Sequence, residues 1–107
     1  MSRRPGEVEQ MILAAVLRQK NRAYGVEILD EIQSETGRSI ASGALSVSLD
    51  RLEQKGLIVT RLAEPSAERG GRPRRYAELT PRGFEAVREM RSAMLALWDG
   101  LEESLDT

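Results

Sequence analysis

The sequence contains neither cysteine nor histidine. The first absence removes disulfides, thiolate nucleophiles and cysteine-held metals, and it suits a reducing compartment. The second removes the commonest general base and the one side chain that ordinarily titrates near neutrality, leaving carboxylates alone to hold a metal. Aromatic residues amount to 4%. Tyr24, Tyr76, Phe84 and Trp98 all fall within patterned elements, which leaves little for stacking against structured RNA. No run approaches the roughly eighteen apolar residues that a membrane span needs, and Met1–Pro5 leads into a segment broken early by glutamates. These absences point away from an enzyme, a metal or cofactor protein and a membrane protein, and towards the cytoplasm.

What is present suits one folded domain. The 107 residues are 40% hydrophobic and 31% charged, and the 13 prolines and glycines are scattered, which is a globular composition with a modest core. The formal net charge is -1, unlike the basic balance usual in nucleic-acid binders. The charge is unevenly placed, however. Residues 1–83 hold fourteen Lys/Arg against eleven Asp/Glu, a net of about +3, and residues 84–107 hold two against six, a net of about -4. An acidic tail kept away from phosphates leaves a mildly basic body free to meet them.

Apolar periodicity predicts a helix over Gly6–Gln19 with apolar residues on nearly every side, including Met11, and hence buried or shared with a partner. After a polar break at Lys20–Ala23, a second helix carries Tyr24, Ile28, Leu29 and Ile32 on one face and ends at Gly37. Ser42 is expected to cap a third helix with Leu45, Leu49 and Leu52 inward. Gly56 suits its left-handed stop, with Leu57 returning onto Leu52. Leu57–Ala63 and Arg74–Leu79 read as a strand pair joined by a long polar loop at 64–73. Thr80-Pro81 then caps a helix expected to run from Pro81 to about Ser104.

The order of three helices, a strand, a basic loop, a strand and a long helix gives a mainly α fold with a small β-hairpin wing, a winged helix-turn-helix. The expected division is a DNA-binding domain at 1–80 and a dimerisation helix at 81–107. The segments Ala23-Tyr24-Gly25-Val26-Glu27-Ile28, GALSVSLDRLEQKGLI at 43–58 and GGRPRRYAELTPRG at 70–83 resemble the PadR family of bacterial transcription regulators, specifically its short branch with a single C-terminal dimerisation helix. The resemblance runs through essentially the whole chain. It implies a DNA-binding regulator, a repressor acting on a pseudo-palindromic operator as a homodimer. The family usually carries an aromatic residue just after the leucine of the third helix, where this chain has Ser46, so no tyrosine contact carries over from that position.

The residues argue for DNA independently. With Leu45, Leu49 and Leu52 inward, Gly43, Ser46, Val47 and Asp50 point outward, flanked by Ala44, Ser48 and Arg51. This small surface fits the major groove, where serine meets donor or acceptor edges and alanine or valine meets a thymine methyl. The bland alternative is a solvated helix face. Together with Tyr24 and Ser42, these are the candidate contacts of the helix-turn-helix. Arg69, Arg72, Arg74 and Arg75 lie in or beside the wing loop, where they can reach phosphates or a minor groove.

Phe84, Val87, Met94, Trp98, Leu101 and Leu105 follow the three-four spacing of a helix-packing seam. Six anchors at about 1.5–3 kcal/mol each, counted on two protomers, amount to about 20 kcal/mol or more, against an association cost of about 4–15 kcal/mol. A homodimer through this seam, with help from Met11, follows if the seam is unused within one chain. Trp98 is the one candidate contact for a small-molecule effector, since some members of the resembled family bind aromatic compounds between subunits; packing is its simpler role. The competing function is a protein-interaction module on a winged-helix scaffold without DNA binding.

Overall fold

The computed structural model describes residues 4–63 and 74–106. Its elements run α1 (Glu7–Arg18), β1 (Ala23–Tyr24), α2 (Gly25–Thr36), α3 (Ser42–Gln54), β2 (Ile58–Leu62), β3 (Arg75–Leu79), α4 (Pro81–Trp98) and α5 (Glu102–Leu105). The expected winged helix-turn-helix is present, with one strand more than the sequence suggested.

The core is built where α1 crosses the other elements. Ile12, Leu13, Ala15 and Val16 of α1 are buried with Ile28 and Ile32 of α2, Leu45 and Leu52 of α3, and Ile58, Ala77 and Leu79 of the sheet. At α1's end Lys20 and Asn21 both take left-handed conformations, φ 60° and 63°. This reversal delivers β1 to the sheet. There the Leu79 N–H donates to Asn21 Oδ1 at 2.7 Å, and Ala23 and Tyr24 pair antiparallel with Ala77 and Tyr76. The stretch taken as a polar break and a two-stranded hairpin thus forms a three-stranded sheet in the order β1-β3-β2. A two-residue strand is too short to show any period, and its partner lies about fifty residues on.

The third helix starts one residue earlier in its cap than expected. Ala41, extended at φ -66° and ψ 146°, is the cap without a side-chain bond, and Ser42 is the first helical residue. Its exit is as expected. Gly56 is left-handed at φ 77°, with Leu57 N–H bonded to the Leu52 carbonyl and Gly56 N–H to that of Glu53, both at 3.0 Å. These are the paired 6→1 and 5→2 hydrogen bonds of a Schellman stop.

Helix α4 is fixed to this corner. Thr80 caps it through Gly83 N–H at 3.1 Å, and its hydroxyl donates to the Gly56 carbonyl at 2.6 Å. Phe84, Ala86, Val87 and Met90 pack, half-buried, against the chain's own core. The helix then leaves the body, which helps give the molecule its 54 × 30 × 24 Å dimensions. It stops at Trp98 rather than near Ser104, because Asp99 turns extended and Gly100 left-handed at φ 83°, and a short α5 follows. No helix among the described residues is long and apolar enough to cross a membrane.

Candidate nucleic-acid interface

Helix α3 presents two unlike sides. Leu45 and Leu52 are buried and Leu49 is half-buried, while Ser42, Gly43, Ala44, Ser46, Val47, Asp50 and Arg51 are exposed. Ser48 departs from the expected set: its side chain is on the inner side, with the residue 8% exposed, so it cannot reach a groove that meets the outer face. Ser42, freed from a capping role, joins the exposed first turn. A Cβ added at Gly43 would find nothing within 4 Å, so no described element is packed over this part of the surface. Arg51 makes no ion pair with any described residue.

The wing-loop arginines divide into three cases. Arg69 and Arg72 lie outside the described residues. Arg74 stacks its guanidinium over the Tyr24 ring, 3.8 Å from the centroid. Arg75, expected to reach for phosphate, pairs at the surface with α3 instead: its Nη2 is 3.2 Å from Glu53 Oε1 and 3.8 Å from Asp50 Oδ1, with 48% of its side chain exposed. The arrangement has a simple cause. The β2–β3 register brings Arg75 opposite Leu62, and β2 follows α3 directly, so the start of β3 returns beside the carboxylates of α3.

Tyr24 is half-buried and serves the fold. Its backbone N–H donates to Glu27 Oε1 at 2.9 Å, closing the first turn of α2, and its ring meets Tyr76 edge-on at 5.8 Å. Arg22 lies over the Tyr76 ring at 4.1 Å. Arg22, Tyr76, Tyr24 and Arg74 therefore form a cross-strand ladder with a cation at each end. Exposed contacts of this kind contribute about 0.5–1 kcal/mol each, enough to orient the two guanidinium groups beside the start of α2. The sequence reading missed Arg22, because only the β1–β3 pairing brings it to Tyr76.

On α4 the seam residues separate into two groups. Phe84 and Val87, expected at a dimer interface, are engaged in the chain's own core, as is half-buried Met11. Beyond Met90 the described chain is exposed throughout, including Met94, Leu95, Leu97 (72%) and Trp98 (49%) of α4, and Leu101 and Leu105 after the break. Single exposed apolar residues are ordinary, but a run of this length is not. A groove of about 480 Å³ lies between the N-terminal arm, the end of α3 and α4, lined by residues that include Lys55, Leu57, Arg82, Ala86 and Met90; Trp98 is not among them.

The comparisons with known proteins give one family model and a set of similar folds. Residues 12–89 match the family model described as the transcriptional regulator PadR-like family. The structure is similar to a PadR family transcription regulator from Clostridium difficile R20291, with a TM-score of 0.73 and 22% identity over 94% of this chain and 99% of that one. It is also similar to a PadR-like transcriptional regulator from Bacillus cereus ATCC 14579, with a TM-score of 0.74 and 21% identity over 94% of this chain and 92% of that one. A third similar structure is Bacillus subtilis PadR in complex with operator DNA, with a TM-score of 0.66 and 20% identity over 78% of this chain and 46% of that one. No protein of curated function matches the sequence.

Proposed function

The chain belongs to the transcriptional regulator PadR-like family, a family of regulators and not of enzymes, and from that premise we propose that it binds double-stranded DNA in the cytoplasm as a homodimer and represses transcription. In this reading α3 of each protomer enters a major groove of a pseudo-palindromic operator, with Ser42, Gly43, Ala44, Ser46, Val47 and Arg51 towards the bases. Tyr24 acts indirectly, holding Arg74 so that it faces the backbone together with Arg22. The wing arginines Arg69 and Arg72 add phosphate contacts. Residues 1–80 bind DNA and residues 81–107 join the protomers.

The observation that carries this reading is the outer face of α3, small, weakly polar and uncovered. Similarity to a PadR solved with operator DNA supports it, as does the separation of a basic body from an acidic tail. The dimer is supported by the apolar stretch from Met94 to Leu105, which no described residue of the chain covers. Leu101 and Leu105 follow the break at Asp99, so they extend the contact from α5 rather than continue a single helical seam. Trp98 is a packing residue of that contact, and no cofactor or effector is assigned.

Titration of the chain with a duplex drawn from the region upstream of its own coding sequence tests the reading. If about four phosphates are neutralised per protomer, log K falls against log salt with a slope near -7. Absence of binding at low salt would favour the protein-interaction module instead.

A further inference from the structure

Asp50 is the one carboxylate on the outer face of α3 that lines up with the small residues, standing at i+7 from Gly43, i+4 from Ser46 and i+3 from Val47. A negative group here needs a reason. Each base pair of a duplex brings two phosphates, and a carboxylate facing a groove is repelled by them and loses water as it enters.

Its neighbour Glu53 has a reason within the fold. Glu53 Oε2 accepts from Thr60 N–H at 3.4 Å and Thr60 Oγ1 at 3.1 Å, and Oε1 accepts from Arg75 at 3.2 Å. Both oxygens are used in tying α3 to β2 and β3. Asp50 has no such reason. Only its Oδ1 approaches Arg75, at 3.8 Å, and the side chain remains 61% exposed, with Oδ2 meeting no described residue. Arg75, which lies nearer to Glu53, thus attracts Asp50 weakly and favours one side of its swing, without occupying it.

Resting on the DNA-binding reading above, we propose that Asp50 is a specificity-determining residue that accepts a hydrogen bond from the N4 amino group of a cytosine in the major groove, with Arg75 as its positioning residue. The chemistry of the base edges selects the partner. Guanine presents O6 and N7, both acceptors, and thymine presents O4 and a methyl group, so all of these reject a carboxylate. Adenine offers its N6 amino group beside the N7 acceptor. Cytosine presents a donor alone and is therefore the better match. The pairing also explains why the acid is tolerated: a group that weakens binding to most sequences, and is compensated at one base, sharpens selection.

The test is selection of bound duplexes from a randomised half-site library by the full chain, by D50A and by D50N, followed by Kd measurement on single-base variants of the selected site. Asp50 is exposed and its pair with Arg75 is long, so both variants keep the fold. The wild type should prefer cytosine at one position by about ten-fold, the order of a single mismatch. D50A should lose that preference to within about two-fold there and nowhere else. D50N, which can pair with adenine N6 and N7, should move it towards adenine. If D50A instead binds every sequence more tightly by one common factor, the carboxylate acts only as repulsion and the assignment is overturned. An unchanged preferred sequence in both variants overturns it equally. Should the wild type select no sequence at all, the regulator reading itself fails, an outcome distinct from wild-type selection that survives D50A.

Discussion

At Gly83 an added Cβ would stand 2.1 Å from the carbonyl oxygen of Leu57, a backbone atom that already accepts from Thr80 N–H at 3.0 Å. The sequence shows only a glycine in the first turn of a helix; the contact that requires it joins residues 26 apart. Gly83→Ala must move α4 off the α3–β2 corner, with an expected cost of about 3 kcal/mol, the upper end of overpacking. Urea denaturation checks this, and an unchanged midpoint would contradict the close approach. Asn21 offers a second test. Its Oδ1 is the partner of the buried Leu79 N–H, so Asn21→Ala should cost about 1–3 kcal/mol. Asn21→Gly relieves the left-handed backbone but loses the same bond, and in the same urea measurement it should also destabilise. Residues whose roles follow from their own helix, such as Leu45, Leu52 and Gly56, were legible in the sequence. Ser48 was not, because its turn to the inner side of α3 is decided by how that helix rotates against α1 and α2.

Elements with a local pattern or a chemical stop were legible, the β2–β3 pair among them, whereas the two-residue β1 and the end of α4 were not. Pro81 after Thr80 and Gly56 after α3 are local signals with direct geometric consequences. Strand β1 has no local signal, yet it creates the ladder of Arg22, Tyr76, Tyr24 and Arg74. The break after Trp98 was missed for the opposite reason: apolar spacing continued through Asp99 and Gly100, and the left-handed glycine overrode it. The ladder makes a functional prediction at this scale. Tyr24→Ala frees Arg74 from its platform, and Arg22→Ala and Arg74→Ala remove the cations. Each should weaken binding to all sequences alike, and each arginine variant should make the salt slope less steep by about 0.9 per lost phosphate contact. Filter binding across a salt series on specific and unrelated duplexes reads this, and a change in preferred sequence would contradict a backbone role. Ser46 and Val47 variants should behave oppositely, altering preference with little change in slope.

Across the whole molecule the division of charge was visible from the start, and the structure gives it a spatial meaning. The acidic residues Asp99, Glu102, Glu103 and Asp106 lie at and beyond the far end of α4, past the part that packs on the core. The seam anticipated from spacing is divided: its first members stabilise one chain, and only its later ones are open to a partner. The dimer prediction narrows accordingly. Trp98→Glu together with Leu101→Glu should give monomers with unchanged helical circular dichroism, because both residues are outside the core. Phe84→Ala should instead lower thermal stability.

The central claim is that two chains joined by their tails set paired α3 helices on one duplex. Sedimentation of the complex with a selected operator, combined with hydroxyl-radical footprinting, measures this directly. The account predicts two chains per duplex and two protected patches about one helical turn apart, both lost in the Trp98, Leu101 double variant. One chain per duplex with a single protected patch, or full protection by that monomeric variant, would contradict it.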